Sequence, residues 1–587
     1  MCGIAGIMSV NGEAPARQRL QALEKALSHR GPDGNGHYSS GDVGMVQTRL
    51  AIIDLATGDQ PLYEPGGAAL VANGEIYNYL ELHAEVPQAK IATGSDCELP
   101  LHLYRKFGLD FPKHLRGMYA IALHDPAEGR LVLSRDPFGI KPLYYAETAQ
   151  GFVFASEPQA ILASGAVPVE LVRQSRNELL ELQFTTGRDT IFAGISRVLP
   201  GETLVVAKGR IVERRRIEAL PHAAIVPFGE DAAITEFNHV FEESVKLHQR
   251  SDVPYGMFLS GGIDSSAVLA MMARLNERPV KAFTIGFSNA AVSDEREAAR
   301  AIAQEFGAEH VEVDFREGDF WTLLPEIARA IDDPAADYAI LPTYKLAATA
   351  REAGIKVILS GEGGDELFAG YGRYRSVGRP WWAGGKLLRA RGNLDKLGIL
   401  RGDLAGWRDG VATAELAAQD GARTRLQLAQ ATDCADWLPN DLLTKLDRCL
   451  MAHGVEGRVP FLDPSLAAFA FRLPDELKVA RGLGKYLLRR WLAGQSIAAA
   501  PMAKKRGFTV PVGEWIARRG APLGPLVAAQ PGIREICLDG SVEKLFAAAA
   551  EKRAGFAAWT LLFYALWHRH HIQRLPPAPD VFAALAG

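Results

Sequence analysis

The apolar pattern of this chain changes character a little past one third of its length, and that change limits how it can fold more than any other feature. From residue 2 to about 210 the apolar runs are short and separated by turn signals, as in CGIAGIM, AALVANGEIYN, YAIALHD, RLVLSRD and FVFAS. Such a pattern predicts a strand-rich layer, with ARQRLQALEKAL and CELPLHLYRKFG as its interrupting helices. After a helical segment near 232–248, strands alternate with helices through VPYGMFLS, SSAVLAMMARL, KAFTIGF, EREAARAIAQEFG, EHVEVDF and KVILS. Strands separated by helices of ~10–15 residues imply a parallel sheet covered on both faces. The stretch 211–231 is charged and contains proline, which suits a connection, and beyond 380 the chain is rich in Ala, Leu and Arg and reads as helical. A chain of 587 residues is too long for one core. We therefore expect one domain over 2–210, a linker over 211–231 and a second domain over 232–587.

A hydrophobic share of 48% and a charged share of 23% suit globular cores, and a net charge of -4 gives no footprint for nucleic acid. The opening MCGIAGIMSVNGEAP lacks the basic and long apolar regions of a secretory signal, and no run approaches ~18 uninterrupted apolar residues. No membrane partner is expected, and the protein should reside in the cytoplasm. Five scattered cysteines form neither a disulfide framework nor a metal pattern. Cys2 stands apart by position. If Met1 is removed, Cys2 carries both a thiol and an α-amine, and an amine titrating near ~7.7–8.0 can take the thiol proton without a separate histidine. Thiolate attack on a carboxamide makes an oxyanion that needs preorganised donors, which the Asn73 side chain and the Gly74 amide can supply. By itself NGE at 73–75 reads as a polar turn after an apolar strand.

SGGIDSS at 260–266 lies between a predicted strand and a predicted helix. Its glycines let backbone amides approach an anion, and the helix start presents free N–H groups to pyrophosphate. The spacing is not GxxxxGK[ST], which disfavours γ-phosphate transfer. SGEGGDELFAGY at 360–371 sets three acids beside flexible glycines. Asp264 and Asp365 are natural oxygen ligands for Mg2+, which takes few carboxylates together with phosphate oxygens and water. Lys485 falls on a predicted helix in RGLGKYLLRR, where a lysine is ordinarily just solvated.

These motifs occur with HRGPDG at 29–34, TRLAIID at 48–54, GSDCE at 94–98 and RDPFGIKPLYY at 135–145, in order. The N-terminal part thereby resembles the class II glutamine amidotransferases, which are N-terminal nucleophile hydrolases. SGGIDSS resembles the ATP pyrophosphatases, and LDRCLMAHGVEGRVPFLD at 446–463 matches the synthetase domain of the glutamine-hydrolysing asparagine synthetases. The resemblance implies an α+β sandwich followed by an α/β parallel-sheet ATP-pyrophosphatase domain with helical C-terminal additions. It makes Cys2, Asn73, Gly74, Glu362 and Lys485 catalytic, with Glu362 a base or positioning carboxylate near an acyl adenylate and Lys485 facing the phosphates. Glutamine would be held by Arg49, Leu50, Ala51, Ile52 and Ile53, with Asn73, Gly74, Glu75 and Asp96. Arg49 takes its α-carboxylate and Asp96 its α-ammonium. ATP would meet Leu259 and Ile285 at the adenine and ribose, Ser260, Gly261, Gly262, Asp264, Ser265 and Ser266 along the first loop, and Ser360 and Gly361 along the second. Asp264 and Asp365 would carry magnesium, and Arg458 a phosphate or active-site contact.

The implied reaction is glutamine-dependent amidation of aspartate to asparagine through a β-aspartyl adenylate, releasing AMP and pyrophosphate, in a homodimer. DDPAADYAILPTY at 332–344 and KKRGFTVPVGEW at 504–515 look like a broader bacterial group, some of whose members resemble enzymes amidating other carboxylates. The acceptor is therefore aspartate or another small carboxylate. A glutaminase serving a sugar or phosphoribosyl acceptor would share the Cys2 half but gives no reason for SGGIDSS and SGEGGDE.

Overall fold

The computed structural model describes residues 2–222, 225–288, 294–377, 388–503 and 509–587. Met1 and the KKRGF portion of the motif at 504–515 lie outside them. The N-terminal region is built on two six-stranded antiparallel sheets. In the first, Gly3–Ser9 lies between Val43–Arg49 and Gly151–Ala155, and in the second, Ala69–Ile76 pairs with Gly117–Asp125. Side-chain alternation sorts each strand between two cores. Ile4, Met8, Val43 and Met45 of the first sheet meet Ala69, Val71, Ala120 and Ala122 of the second. The opposite faces pack on the expected helices: Ala5, Ile7 and Val46 share a core with Leu23 and Leu27 of Arg17–Leu27, and Leu70 and Ala72 with Leu99 and Leu103 of Leu99–Phe107.

Arg210–Arg216 pairs with Glu202–Ala207 at the edge of the second sheet, so residues 211–216, expected in the linker, are strand. This strand, RIVERRR, is almost wholly exposed and highly charged, the composition that protects a sheet edge while hiding its strand signal.

After the helix Glu230–His248 comes a five-stranded parallel sheet in the order Glu309–Phe315, Lys281–Phe287, Tyr255–Phe258, Val357–Leu359, Glu456–Arg458. The chain runs outward from Tyr255–Phe258 in one direction and then returns to its other side with Val357–Leu359. That reversal leaves a crevice at the carboxyl ends of these two strands, where open α/β sheets bind ligands. SGGIDSS follows one strand and SGEGGDE the other. Toward the C-terminus, the helix Lys552–His571 is buried along nearly its whole length, and Trp559 and Trp567 donate to the carbonyls of Ala336 and Ile331. Among the described residues no helix is long and apolar enough to cross a membrane.

Buried ion pairs join the two regions. Arg30, fully buried, donates to Glu157 (2.7 Å) and to Asp447 (2.7 and 3.0 Å). Arg448, which donates to Asp332 at 2.7 Å within the second region, also lies 3.9 Å from Glu157 of the first, and Asp333 accepts from Tyr144 and from Arg197, both at 2.7 Å. Arg116 reaches Asp463 at 2.6 Å. Charges this deeply buried require such partners.

Candidate active sites

Cys2 shares the inward parity of Ile4 and Met8, and Asn73 and Glu75 share that of Ala69 and Val71, so the two sheets bring these residues together. The Cys2 nitrogen donates to Asn73 Oδ1 at 3.1 Å. Asn73 is fully buried and its Nδ2 meets no hydrogen-bond acceptor. An orphaned buried donor costs ~1–3 kcal/mol, and packing alone gives no reason to keep one beside Cys2. Asn73, Gly74 and Glu75 are strand residues, not a turn, because the strand Ala69–Ile76 runs through them opposite Ala120, Tyr119 and Met118. Gly74 admits no side chain, since a Cβ would stand 2.2 Å from the Met118 carbonyl oxygen.

Burial pushes the Cys2 thiol above its ordinary pKa, while the Leu50 backbone amide and Arg49 pull against that rise. Gln47 Nε2 lies 2.9 Å from Cys2 Sγ, a contact not anticipated from the sequence. Its signal was present, because Gln47 stands two residues before Arg49 on one face of one strand. Arg30 Nε donates to the Cys2 carbonyl at 3.2 Å and was likewise missed.

Arg49 donates to Asp59 at 2.7 Å and to the Asp54 carbonyl at 2.5 Å. Asp59 is 81% exposed at its side chain, so this pair borders solvent. Leu50 and Ile52 are buried, Ile53 is half-buried, and the Ala51 amide donates to Asp33 at 2.9 Å. Asp96 accepts from the Ile76 amide at 2.6 Å, and burial pushes its carboxyl up to about 6. The N-cap of its turn is Ser95, which frees Asp96 from that structural duty. Glu75 faces Arg458, with Oε2 3.4 Å from Nη2. Its carboxyl is raised well above the usual range by burial, then by Glu456 and Asp96.

Arg458 is fully buried and donates to Glu456 (2.6 Å) and to the carbonyls of His248 (2.8 Å) and Arg250 (2.6 Å). Those partners lie in the second region, and its guanidinium also meets Glu75 and the Tyr77 ring of the first. Its carbonyl accepts the Ser360 amide at 2.8 Å.

In the crevice, Asp264 stands in the first turn of the helix Ile263–Leu275, whose N-cap Gly262 makes no side-chain capping bond. Ser265 Oγ accepts from the Ser260 amide at 3.1 Å, and Ser266 Oγ donates to the Gly262 carbonyl at 2.7 Å, which hold the loop closed on itself. Gly261 is half-buried in that loop, and a Cβ there would meet Ala298 at 3.0 Å. A Cβ on Gly361 would stand 2.9 Å from that of Asp264, so the two loops touch. Leu259 donates to the Phe283 carbonyl and accepts from Thr284, and Ile285 lies on the adjoining strand opposite Val313.

Lys485 Nζ pairs with Asp264 and, at 2.7 Å, with Asp365 Oδ1. It lies just before the helix Tyr486–Ala493, at φ 58°, and not on it. That left-handed conformation costs energy for a lysine and is held by its amide donating to the Phe368 carbonyl at 2.9 Å. Three segments far apart in sequence thus converge at the helix start. Among the described residues no group of three or more metal-ligating side chains occurs. Asp264 and Asp365 together fit Mg2+ held largely by phosphate and water oxygens.

Glu362 carries a carboxyl raised by burial and drawn down by Lys445, whose Nζ is 3.9 Å away. Lys445, Asp337 and Asp441 around it were not singled out from the sequence. Asp441 lies on a π-helix, Asp433–Leu443, whose wide turn escapes a search for α-helical periodicity.

Comparison with known proteins agrees with both halves. Residues 1–216 match the glutamine amidotransferase domain family and residues 236–569 the asparagine synthase family. A putative glutamine-hydrolysing asparagine synthetase of Mycobacterium tuberculosis is 34% identical, with 97% of each chain covered. Glutamine-hydrolysing asparagine synthetase 1 of Bacillus subtilis is 30% identical over 98% of this chain and 97% of its own. A Gibberella zeae protein named as an amidase is 32% identical over 64% of this chain and 60% of its own.

Proposed function

Since the chain belongs to the glutamine-hydrolysing asparagine synthetase family, we propose that it amidates aspartate to asparagine, with ammonia released from glutamine at Cys2 and aspartate activated by ATP. The observation that carries this reading is the meeting of Asp264, Asp365 and Lys485 at the start of the helix Ile263–Leu275, in a chain whose Cys2 lies beside a spare Asn73 donor.

At the first site the Cys2 thiolate attacks the glutamine carboxamide carbon, with its proton taken by the α-amine that Met1 removal exposes. Asn73 Nδ2 and the Gly74 amide receive the oxyanion, the C–N bond breaks, and the nitrogen leaves with that proton as ammonia. Water then cleaves the thioester, giving glutamate and restoring the thiol. Arg49 and Asp96 hold the two ends of the substrate.

At the second site a carboxylate oxygen of aspartate attacks the α-phosphorus of ATP, and the bond to the β-phosphate breaks to release pyrophosphate. Lys485 and the helix start offset the charge gathered on the departing group. Mg2+ held by Asp264 and Asp365 would supply further neutralisation there. Ammonia attacks the acyl carbon, AMP leaves, and Glu362 takes the surplus proton. Because ammonia protonates readily in bulk water at neutral pH, the buried, ion-paired contact between the two regions suits direct transfer. We assign a homodimer as the working assembly, which sedimentation would check.

The test supplies purified protein with glutamine, Mg-ATP and aspartate, and measures AMP, pyrophosphate and asparagine. One asparagine is expected for each AMP. Cys2→Ala should abolish glutamine use and retain synthesis from ammonium salt. Release of ADP in place of AMP, or absence of asparagine while another acid is amidated, would refute the assignment.

A further inference from the structure

Gln47 has one end of its side-chain amide in use and the other end not. On the strand Val43–Arg49 it shares the inward parity of Val43 and Met45, and its partner on the neighbouring strand is Ile4, two residues after Cys2. Its side chain thus belongs to the face that carries Cys2. Only 1% of the residue is exposed, Nε2 lies 2.9 Å from Cys2 Sγ, and Oε1 meets no hydrogen-bond partner among the described residues. A buried carbonyl without a donor is costly. A methionine of similar volume would fill the space without that cost, so packing gives no reason for an amide here.

The reactive form of Cys2 decides which way this amide turns. A thiolate accepts hydrogen bonds and donates none, so it holds Nε2 and leaves Oε1 as an acceptor one carboxamide's width from the sulfur. Asn73 Nδ2 is the matching donor, fully buried and without an acceptor. Around the nucleophile the protein therefore keeps one unmet donor and one unmet acceptor. A primary carboxamide presents the converse, an oxygen that accepts and an NH2 that donates. Glu75 Oε2, on the same strand face as Asn73, also lacks a hydrogen bond, but it already faces Arg458 Nη2 at 3.4 Å.

We infer that Gln47 is a specificity-determining residue of the glutaminase site, with Oε1 accepting an N–H of the substrate's carboxamide while Asn73 Nδ2 donates to its oxygen. The two side chains read both ends of the amide. An analogue with carbon or an ester oxygen in place of the nitrogen leaves Oε1 unmet. Once the C–N bond has broken and ammonia has left, the water that cleaves the thioester has an O–H to offer the same acceptor. The inference rests on the reading that Cys2 attacks glutamine, and it adds how the amide is told from its isosteres.

Binding is compared first in Cys2→Ala, where no covalent step interferes. By calorimetry, glutamine should bind at least ~10-fold tighter than 5-oxo-L-norleucine, which keeps the carbonyl and puts CH3 in place of NH2. Equal affinities overturn the inference. Turnover is compared next in the full-length protein with Cys2 intact, using glutamine and L-glutamate γ-methyl ester. Gln47→Met loses the contact to Sγ for both substrates, so the ratio decides: kcat/KM for glutamine should fall at least ~10-fold further than kcat/KM for the ester. An equal fall would make Gln47 a holder of the sulfur alone and overturn its role in specificity. The binding comparison stands by itself if Gln47→Met fails to fold. If the wild-type protein hydrolyses no glutamine, the glutaminase reading falls and this inference with it. If it hydrolyses glutamine while the two ligands bind alike, only this inference falls.

Discussion

Replacing Asn73 with alanine separates a catalytic donor from a packing residue. The side chain does two things in the resting structure. Oδ1 accepts from the Cys2 nitrogen at 3.1 Å, and Nδ2 is buried with no acceptor. Removing an oxyanion donor lowers kcat by about 10²–10³, or ~3–4 kcal/mol of transition-state stabilisation. Losing the contact to the Cys2 nitrogen, which orients the base, removes a further ~0.5–1.5 kcal/mol. Glutaminase turnover should therefore fall by roughly 10²–10⁴. Stability should move little, because the lost Oδ1 bond and the small cavity are offset by relief of the unsatisfied Nδ2, itself worth ~1–3 kcal/mol. The assay pairs glutamate release with denaturant unfolding and with synthesis from ammonium salt, which should persist. A loss of turnover under about tenfold would refute the oxyanion role, since it is no more than one ordinary hydrogen bond supplies. A large stability loss with full turnover would make Asn73 a packing residue.

Three further outcomes follow from the buried charges. Asp96, at about 6, must be ionised to hold an ammonium, so KM for glutamine should rise toward tenfold per pH unit below that value. Asp96→Asn should raise KM at pH ~7.5 and abolish that pH dependence, as initial-rate measurements would show. Glu366 is pushed up to about 8 by burial, so its contribution to stability is complete below its ordinary 4.5 and is lost as pH climbs through 8. Glu366→Gln, which keeps an acceptor for Tyr371, should accordingly gain in relative Tm between pH 5 and pH 8, and a constant difference would contradict the cause. Arg30→Met should cost ~3–5 kcal/mol in urea unfolding, because Glu157 and Asp447 lose their shared partner; a cost under ~1 kcal/mol would show that Arg448 alone suffices.

The parts of the fold legible in the sequence were those written in local pattern. Alternating apolar residues gave the strand-rich region, and strand–helix alternation gave the parallel sheet with its loops at the crevice. Asn73 reads as part of a turn but lies in a strand, since a polar triplet in a strand buried on both faces breaks the usual composition. Lys485 was placed on a helix because a left-handed residue leaves no mark in periodicity. Arg30 and Asp447 are 417 residues apart, and nothing local to either announces the other. Asp441 escaped for a different reason: the π-helix changes which residues share a face, so an α-helical reading separates Asp441 from its neighbours.

The path from one site to the other runs through one side chain and its own backbone. Arg458 holds Glu75 with its guanidinium while its carbonyl receives the Ser360 amide. Glu75 is two residues from Asn73 on the same strand face, and Ser360 opens the loop that carries Glu362. Arg458, Glu75 and Ser360 are each buried, so a shift in one cannot be absorbed by water, as it would be for a surface pair. Arg458 also keeps Glu456 paired at 2.6 Å, and moving it to favour Glu75 would leave a second carboxylate uncompensated. The linkage is therefore stiff. It ties the strand of Glu75 to the SGEGGDE loop, beside the separate ion pairs of Arg30 and Arg116 that also join the two regions.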